Sequence, residues 1–538
     1  MSQRSNMPSG FNPLPSALSA SVPSGATVSS GASDIPGDPV MTPARSVSAL
    51  RLSRFGGRLA SRTLRTLVLA AGFVLAASGA QAQISDTRVT EFTYDTTTGQ
   101  LLQQVSEPDT PAIALTTDYT YDSFGNQLTA TVSGPDITTR TTSATYTADG
   151  RFTATVTNAL NHTETHVTDG RFGNVTSLTG PNSLSTTWEY DGFGRKTKEV
   201  RADGTETRWT YELCVAQCPA GAVYLVSSQG FITSSSTATT AKAIEYLDKL
   251  NRVFRSESEG FDGTPVYADT LFTARGFVEK ASKPYFDGTA AQDILWAENA
   301  YDVVGRRTSV TLPDGGVEST AFSGLTTTLT NALTQTSTRV ENALGELVSA
   351  TDNLGYVTTY SYDAFGNLTE TDAEGVVTTM TYDIRGLKTA MDDPDMGVWS
   401  YSYDALGQLV SQTDAKSQTV TMAYDKLGRM VSRTEAEGTT TWTYDTATKG
   451  VGKIASVSAP SINYAETMAY DGLGRPSTAS LTFESATYDT TTLYDAAGRA
   501  DTLVYPTGFQ VVSHFTANGH LSSVTDELST VTYWQATT

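Results

Sequence analysis

The side chains that could perform acid–base or metal chemistry are few, because the 538-residue chain contains only four histidines. In the segment HTETH, His162, Glu164 and His166 alternate with threonines, so a strand there would place all three on one face. Imidazole and carboxylate groups bind zinc, but this spacing lacks a fourth ligand and is not the helical H-E-x-x-H of zinc proteases. With His514 and His520 far away in sequence, we predict an exposed strand and no metal site.

The only cysteines, Cys214 and Cys218, lie in the segment ELCVAQCPAG. In an exported protein an even pair this close predicts a disulfide that closes a small loop. Free thiols and intermolecular pairing remain the alternatives, and a zinc site would need further soft ligands. The long interval around these cysteines is interpreted as an insertion at residues 212–240, and a hydrolase within it is a weaker hypothesis.

The acidic cluster Asp392, Asp393 and Asp395 lacks the number and spacing of oxygen ligands that a calcium loop requires. The sequence also contains no G-x-S-x-G, phosphate-binding loop or dinucleotide fingerprint. We therefore predict no catalytic residue and no cofactor, and we expect that the protein is not an enzyme.

The formal net charge is -21, and residues 83–538 alone carry 29 basic and 55 acidic side chains. Such an acidic surface repels a phosphate backbone, so the charge argues against nucleic acid as a partner. Abundant acidic groups also keep a large protein soluble.

What recurs instead is Tyr-Asp, which occurs twelve times, nine of them as Tyr-Asp-x-x-Gly. Between Tyr362 and Tyr424 the copies are 20, 21 and 21 residues apart, and a fixed period predicts stacked supersecondary units. The nine copies comprise Tyr121, Asp122, Gly125; Tyr190, Asp191, Gly194; Tyr301, Asp302, Gly305; Tyr362, Asp363, Gly366; Tyr382, Asp383, Gly386; Tyr403, Asp404, Gly407; Tyr424, Asp425, Gly428; Tyr470, Asp471, Gly474; and Tyr494, Asp495, Gly498.

The elements that position these residues can be predicted from the flanking sequence. Large apolar residues precede nine of the twelve tyrosines by two positions, as Tyr360 precedes Tyr362, and this period of two indicates a strand with one buried face. Asp is favoured at the first position of a type I turn and Gly three residues later. After Gly366 a return strand leads to a second Asp-x-x-Gly turn at residues 372–375. The pattern predicts an all-β array of antiparallel hairpins with a period of about 21 residues.

The N-terminal region carries a different signal. Residues 1–50 are rich in Ser, Pro and Gly and are predicted to be a disordered leader. Residues 51–82 combine five arginines, a short apolar run and a small-residue site, which indicates a signal peptide cleaved between Ala82 and Gln83. The apolar run is too short to cross a bilayer. We expect export through the inner membrane, a secreted or cell-surface location, and no transmembrane helix in the mature chain.

The repeat written in GYVTTYSYDAFGNLTETD and MGVWSYSYDALGQLVSQTD resembles the RHS, or YD, repeat. The resemblance covers about residues 86–538, nearly all of the array predicted at residues 83–538. Repeats of this family occur in bacterial cell-surface proteins, polymorphic toxins, insecticidal toxin complexes and teneurins. It implies a long β-sheet that spirals into a hollow shell, or part of one, and a C-terminal toxin polypeptide as a partner.

The sequence departs from that pattern because it ends in half a repeat at residues 530–534, without a core segment or a toxin-sized tail. We therefore expect a truncated chain, or one that pairs with a split partner chain. The leading hypothesis is an exported shell that encapsulates or presents a polypeptide. The alternative is a cell-surface adhesin or carbohydrate-binding repeat protein, whose partner would be a surface glycan or receptor.

Overall fold

The computed structural model describes residues 64–65, 87–215 and 218–537. All of them belong to the unit Leu59–Thr538. The predicted leader and the predicted cleavage site at Ala82 and Gln83 lie outside the described residues. Of the predicted signal peptide, only Leu64–Arg65 is described, as a short strand that pairs with residues 91–92.

The described residues form 41 strands and two short 3₁₀ turns, Ala291–Asp293 and Pro460–Ile462. In chain order the strands are β1 Leu64–Arg65, β2 Thr90–Tyr94, β3 Leu101–Ser106, β4 Leu115–Tyr121, β5 Gln127–Ser133, β6 Arg140–Tyr146, β7 Thr153–Thr157, β8 Thr163–Thr168, β9 Val175–Thr179, β10 Ser185–Tyr190, β11 Lys196–Val200, β12 Thr205–Leu213, β13 Tyr224–Ile232, β14 Ala243–Leu247, β15 Val253–Glu259, β16 Pro265–Phe272, β17 Val278–Ser282, β18 Tyr285–Phe286, β19 Trp296–Tyr301, β20 Arg307–Thr311, β21 Val317–Ser323, β22 Thr326–Thr330, β23 Thr336–Glu341, β24 Leu347–Thr351, β25 Val357–Tyr362, β26 Leu368–Ala373, β27 Val376–Tyr382, β28 Lys388–Asp393, β29 Gly397–Tyr403, β30 Leu409–Thr413, β31 Thr419–Tyr424, β32 Met430–Glu435, β33 Gly438–Tyr444, β34 Ile454–Ala459, β35 Tyr464–Tyr470, β36 Pro476–Phe483, β37 Ala486–Tyr494, β38 Ala500–Val504, β39 Gln510–Phe515, β40 Leu521–Asp526 and β41 Thr532–Gln535.

Nearly every strand pairs antiparallel with the next in sequence, so the array is one long sheet of hairpins. The exception is the two-residue strand β18, which pairs with the start of β16, so that β17 pairs with β19. This architecture confirms the predicted all-β hairpin array. Among the described residues, no helix is long and apolar enough to span a membrane.

The strand before each Tyr-Asp alternates between its two faces, as the period of two predicts. In β25, Tyr360 and Tyr362 are half-buried while Ser361 between them is exposed. On the exposed face, threonines of neighbouring strands bond to each other, such as Thr145 to Thr155 at 2.7 Å. Such cross-strand pairs stabilise a sheet that is solvated on one side.

The aromatic face is only partly buried. Among the described residues, four apolar side chains are buried: Tyr246, Leu247, Ala405 and Ala459. The sheet therefore owes its stability to contacts between neighbouring hairpins more than to a packed core.

The segment 212–240 contains a strand of the same sheet. Strand β13 pairs with β12 over nine residues, and the disulfide Cys214–Cys218 lies at the turn between them. Longer turns on both sides of β13 account for the gap in the Tyr-Asp spacing.

The prediction of a second Asp-x-x-Gly turn beginning at Asp372 is wrong. Ala373 pairs with Val376, so the loop contains only Glu374 and Gly375, both with positive φ. This is a two-residue hairpin loop, whose twist matches that of the strands. Asp372 still accepts a hydrogen bond from the Gly375 backbone N–H, at 2.6 Å.

Candidate functional site

Each Tyr-Asp-x-x-Gly segment forms a tight turn at one edge of the sheet, here called the YD edge. In the turn after β31, Asp425 Oδ1 accepts hydrogen bonds from the backbone N–H groups of Leu427 and Arg429, at 2.8 and 3.0 Å. Gly428 adopts φ +82° and donates its N–H to the Asp425 carbonyl. A bulge separates Ala423 from Tyr424, as expected for a turn that ends in a left-handed glycine.

The same arrangement is present in all nine copies. In each, the Asp Oδ1 accepts backbone N–H groups two and four residues later, and the glycine has positive φ. These bonds are found at Asp122, Asp191, Asp302, Asp363, Asp383, Asp404, Asp425, Asp471 and Asp495.

The tyrosine hydroxyl connects consecutive repeats. Tyr362 Oη donates to the carbonyl of Leu347, 15 residues earlier, at 2.9 Å. Seven other copies donate to a carbonyl of the preceding hairpin: Tyr121, Tyr190, Tyr301, Tyr403, Tyr424, Tyr470 and Tyr494. In the ninth, the Tyr382 hydroxyl instead lies 3.8 Å from the sulfur of Met380.

The residue after the glycine also links one turn to the next, a role that the sequence alone did not lead us to predict. Arg429 pairs with Asp425 of its own turn and with Asp445 of the next, and its guanidinium lies 4.3 Å from the ring centre of Tyr444. Arg475 and Arg499 lie over Tyr494 and Phe515 in the same way. Asn or Arg follows the glycine in seven of the nine copies, and this preference was the available signal.

These contacts shift the acidity of the groups involved. Burial pushes the pKa of Asp425 up, but hydrogen bonds from Arg429 and the Leu427 backbone outweigh it, so the pKa lies below its ordinary value. Hydrogen bonds from Arg429 lower the pKa of Asp445 against the opposing effect of burial. Burial, aided by the charge of Asp404, raises the pKa of the Tyr424 hydroxyl. The turns therefore hold charged Asp and neutral Tyr.

The other turns lie at the edge of the sheet opposite the YD edge, here called the opposite edge. We call residues 88–260 the first course of the sheet and residues 384–520 the second course. The opposite-edge turns of the first course contact the YD-edge turns of the second. We call this line of contacts the seam. Its hydrogen bonds join residues 258 to 296 positions apart.

The seam has both polar and apolar contacts. The Asn182 side chain donates to the Val451 carbonyl and accepts the Val451 N–H, each at 3.0 Å. Ala405, only 6% exposed, lies against Gly134, where an added Cβ would be 3.1 Å from the Ala405 Cβ. The remaining hydrogen bonds join Arg88 to Ile384, Arg140 to Gln408, Lys449 to Asn182, Asn518 to Gly260, and His520 to Glu259.

Two histidines lie in the seam. His162 Nε2 is 3.8 Å from Asp445 Oδ2, and His520 Nε2 is 3.1 Å from the Glu259 carbonyl. His162 lies in the turn before β8, so HTETH does not place its three polar residues on one strand as predicted. His166 lies 3.9 Å from Glu164.

The remaining candidate residues have local partners. His514 Nε2 lies 2.9 Å from Thr525 Oγ1. Asp393 Oδ1 accepts the backbone N–H groups of Asp395 and Met396, so it caps a turn. Among the described residues, no group of three or more His, Cys, Asp or Glu is arranged to hold a metal ion.

The family description of the RHS repeat matches residues 171–211, 342–376 and 403–440. A search of curated proteins found no match. The chain is similar in structure to TcdB2-TccC3 (TM-score 0.66, 13% identity, 82% of this chain and 30% of that chain). It is also similar to the Photorhabdus luminescens Tc holotoxin pore with a TccC3 mutation (TM-score 0.65, 12% identity, 78% and 28%). It thus spans about 30% of the length of the first and about 28% of the second. The predicted RHS repeat is confirmed in the three matched segments, and the predicted fold is confirmed.

Proposed function

We propose that this RHS-repeat chain is an exported structural protein whose β-sheet is a wall that encapsulates or presents a polypeptide. The seam is the observation that supports this most strongly. A ribbon of hairpins has two open edges, whereas hydrogen bonds between residues 258 to 296 positions apart join one course to the next. A wall of joined courses separates two spaces, which is what sequestration of a polypeptide requires.

The similarity to TcdB2-TccC3 supports the same proposal at the level of fold. Those structures are of a TcdB2-TccC3 assembly and a Tc holotoxin pore. By analogy, the partner of this chain would be a toxin polypeptide or a split partner chain.

The proposed role is non-catalytic. The carboxylates that recur along the chain cap turns, as Asp425 does, and both cysteines are in the disulfide Cys214–Cys218. A cysteine in a disulfide offers no thiolate nucleophile. The hydrolase hypothesis for residues 212–240 therefore has no support from the cysteines. Deleting the segment would remove strand β13, so Cys214→Ser/Cys218→Ser is the better test, and unchanged turnover in any assay would dismiss a role for the thiols.

The proposed export depends on the N-terminal signal. We expect the mature protein in the extracellular or cell-surface fraction, with Gln83 as its first residue. N-terminal sequencing of the exported protein tests this, and an intact leader on the exported protein would contradict it.

The enclosure proposal is tested by protection from protease. The full chain should be purified under non-denaturing conditions from the cells that naturally produce it. We expect it to co-purify with a second polypeptide that resists protease until denaturant opens the wall. Mass spectrometry before and after denaturation identifies that polypeptide. The absence of any polypeptide protected in this way would contradict enclosure.

One observation favours the alternative, a carbohydrate-binding adhesin. Phe193, at the tip of a YD-edge turn, is 82% exposed, and exposed aromatic rings can stack on sugars. Reproducible glycan-array binding that is lost in Phe193→Ala would support the adhesin, and its absence would leave the wall as the better account.

A further inference from the structure

Turns of the type that form the seam also occur unpaired on both edges of the sheet. The free YD edge comprises the turns at residues 121–126, 190–195, 301–306 and 342–346. The free opposite edge comprises the turns at 331–335, 352–356 and 414–418. In the part of the chain that the structure describes, the hydrogen bonds of these turns join residues fewer than 30 positions apart, and none of them crosses the seam.

The free YD edge exposes the positions that the seam covers. Val303 follows the capping Asp302 as Ala405 follows Asp404. Val303 is 90% exposed, whereas Ala405 is 6% exposed because it contacts Gly134 across the seam. Phe193, one position further along its turn, is also exposed. Large apolar tips in a row mark an interaction surface.

The free opposite edge repeats a docked turn almost residue for residue. Residues 158–162 read NALNH and residues 331–335 read NALTQ, and in each the first Asn caps the turn. Leu160 in the docked turn is half-buried, whereas Leu333 in the free turn is 76% exposed. The same surface is thus covered in the turn at residues 158–162 and uncovered in the turn at residues 331–335.

We propose that the free YD edge of one molecule docks on the free opposite edge of a second copy, head to tail. The seam is the template, because it shows which surface covers each kind of turn. Each copy carries the free YD edge on one side and the free opposite edge on the other. Because the contact joins these two different surfaces, a dimer still has one of each uncovered, and association can extend beyond two copies. This self-association does not depend on an enclosed polypeptide.

The charge of the chain predicts how this association responds to salt. Copies with a net charge of -21 repel each other, and salt screens that repulsion. The apolar contacts themselves are not weakened by screening. Association should therefore strengthen as salt rises from about 0.05 to 0.5 M.

Sedimentation velocity of the full chain over a range of concentrations tests the proposal. Phe193→Asp places a charge on the free YD edge, and Leu333→Asp places one on the free opposite edge. We expect each to weaken self-association by about tenfold or more. Val167→Asp, on an exposed position of β8 and outside the turns that make up the two free edges, is the matched control and should associate like wild type.

An equimolar mixture of the two variants gives the decisive readout. Leu333→Asp keeps an intact YD edge and Phe193→Asp an intact opposite edge, so the mixture should form dimers that do not grow. A wild type that stays monomeric at every salt concentration would overturn the proposal. So would a mixture that associates no better than either variant alone, or a Val167→Asp control that loses association to the same extent.

Discussion

The hydroxyl of Tyr424 lies 2.8 Å from the carbonyl oxygen of Leu409, 15 residues earlier in the chain. This bond connects the end of one hairpin to the start of the return strand in the hairpin before it. Because eight of the nine Tyr-Asp-x-x-Gly copies make such a bond, the tyrosine is a link between repeats as well as an apolar side chain.

Removing that hydroxyl should weaken the array. We expect Tyr424→Phe to lower the free energy of unfolding by about 1 kcal/mol, since the Leu409 carbonyl loses its donor while the ring still packs. Chemical denaturation measures this change. Tyr488 is the matched control, because its Tyr-Asp lies within β37 without a turn and its ring is exposed. Equal losses in Tyr424→Phe and Tyr488→Phe would contradict the role of the hydroxyl.

The turn itself is tested at its glycine. Gly366 has φ +82°, a conformation that a β-branched residue adopts only under strain. Gly366→Val should therefore cost about 1–3 kcal/mol of stability. Gly472 has neither a positive φ nor a neighbour within 4 Å of an added Cβ, so Gly472→Val is the control. A melting temperature of Gly366→Val equal to that of wild type would show that the turn assignment is wrong.

The arginine after the glycine should not be replaceable by lysine without a loss of stability. Arg429 makes two carboxylate pairs and a cation–π contact with Tyr444, and a lysine cannot reproduce that planar geometry. We expect Arg429→Lys to lose about 1–2 kcal/mol of stability. Arg307 lies one residue beyond Arg306, which is the residue after the glycine in that copy, and its side chain is exposed. Arg307→Lys should therefore leave the free energy of unfolding unchanged. An Arg429→Lys variant as stable as wild type would contradict the proposed link.

Acid should destabilise the turns. The pKa values of Asp425 and Asp445 are lower in the folded chain than in the unfolded one, so both favour folding at pH values above the unfolded pKa, about 3.9. That stability is lost as the pH falls through the lower folded pKa. Thermal melting should change little between about pH 7 and 5 and fall below about pH 4.

Asp425→Asn is the matching variant for this pH dependence. Asn caps the equivalent YD-edge turn at residue 342, so the turn should survive at neutral pH while its acid response becomes shallower. An acid response as steep as that of wild type would show that Asp425 does not contribute.

The hairpins could be predicted from the sequence because their causes are local. Tyr-Asp-x-x-Gly encodes a strand end, a capping carboxylate and a glycine with positive φ within five residues. The Asp-x-x-Gly rule failed at Asp372, because Glu374 adopts a positive φ that is not expected for a glutamate. Tyr488-Asp489 likewise repeats the motif's first two letters without its turn.

The seam could not be predicted, because it depends on the summed twist of more than twenty strands. Nothing in the local sequence of Asn182 indicates that its partner is Val451, 269 residues away. The roles of His162 and His520 were missed for the same reason. The residue after the glycine was different, since it is Asn or Arg in seven of the nine copies, and this visible preference could have indicated the link between turns.

The most direct test of the wall is a disulfide across the seam. An added Cβ at Gly134 would lie 3.1 Å from the Ala405 Cβ and 2.9 Å from the Ala114 carbonyl oxygen, so the backbone at residue 134 must shift by a few tenths of an ångström to accept a cysteine. A shift away from both atoms brings the pair toward the separation of about 3.5–4.5 Å that a disulfide needs. We predict that Gly134→Cys/Ala405→Cys forms this bond on mild oxidation, seen as a linked pair of peptides in mass spectrometry, whereas Gly134→Cys/Ala496→Cys does not. Free thiols at both positions 134 and 405 in the folded protein would contradict the seam, and with it the wall.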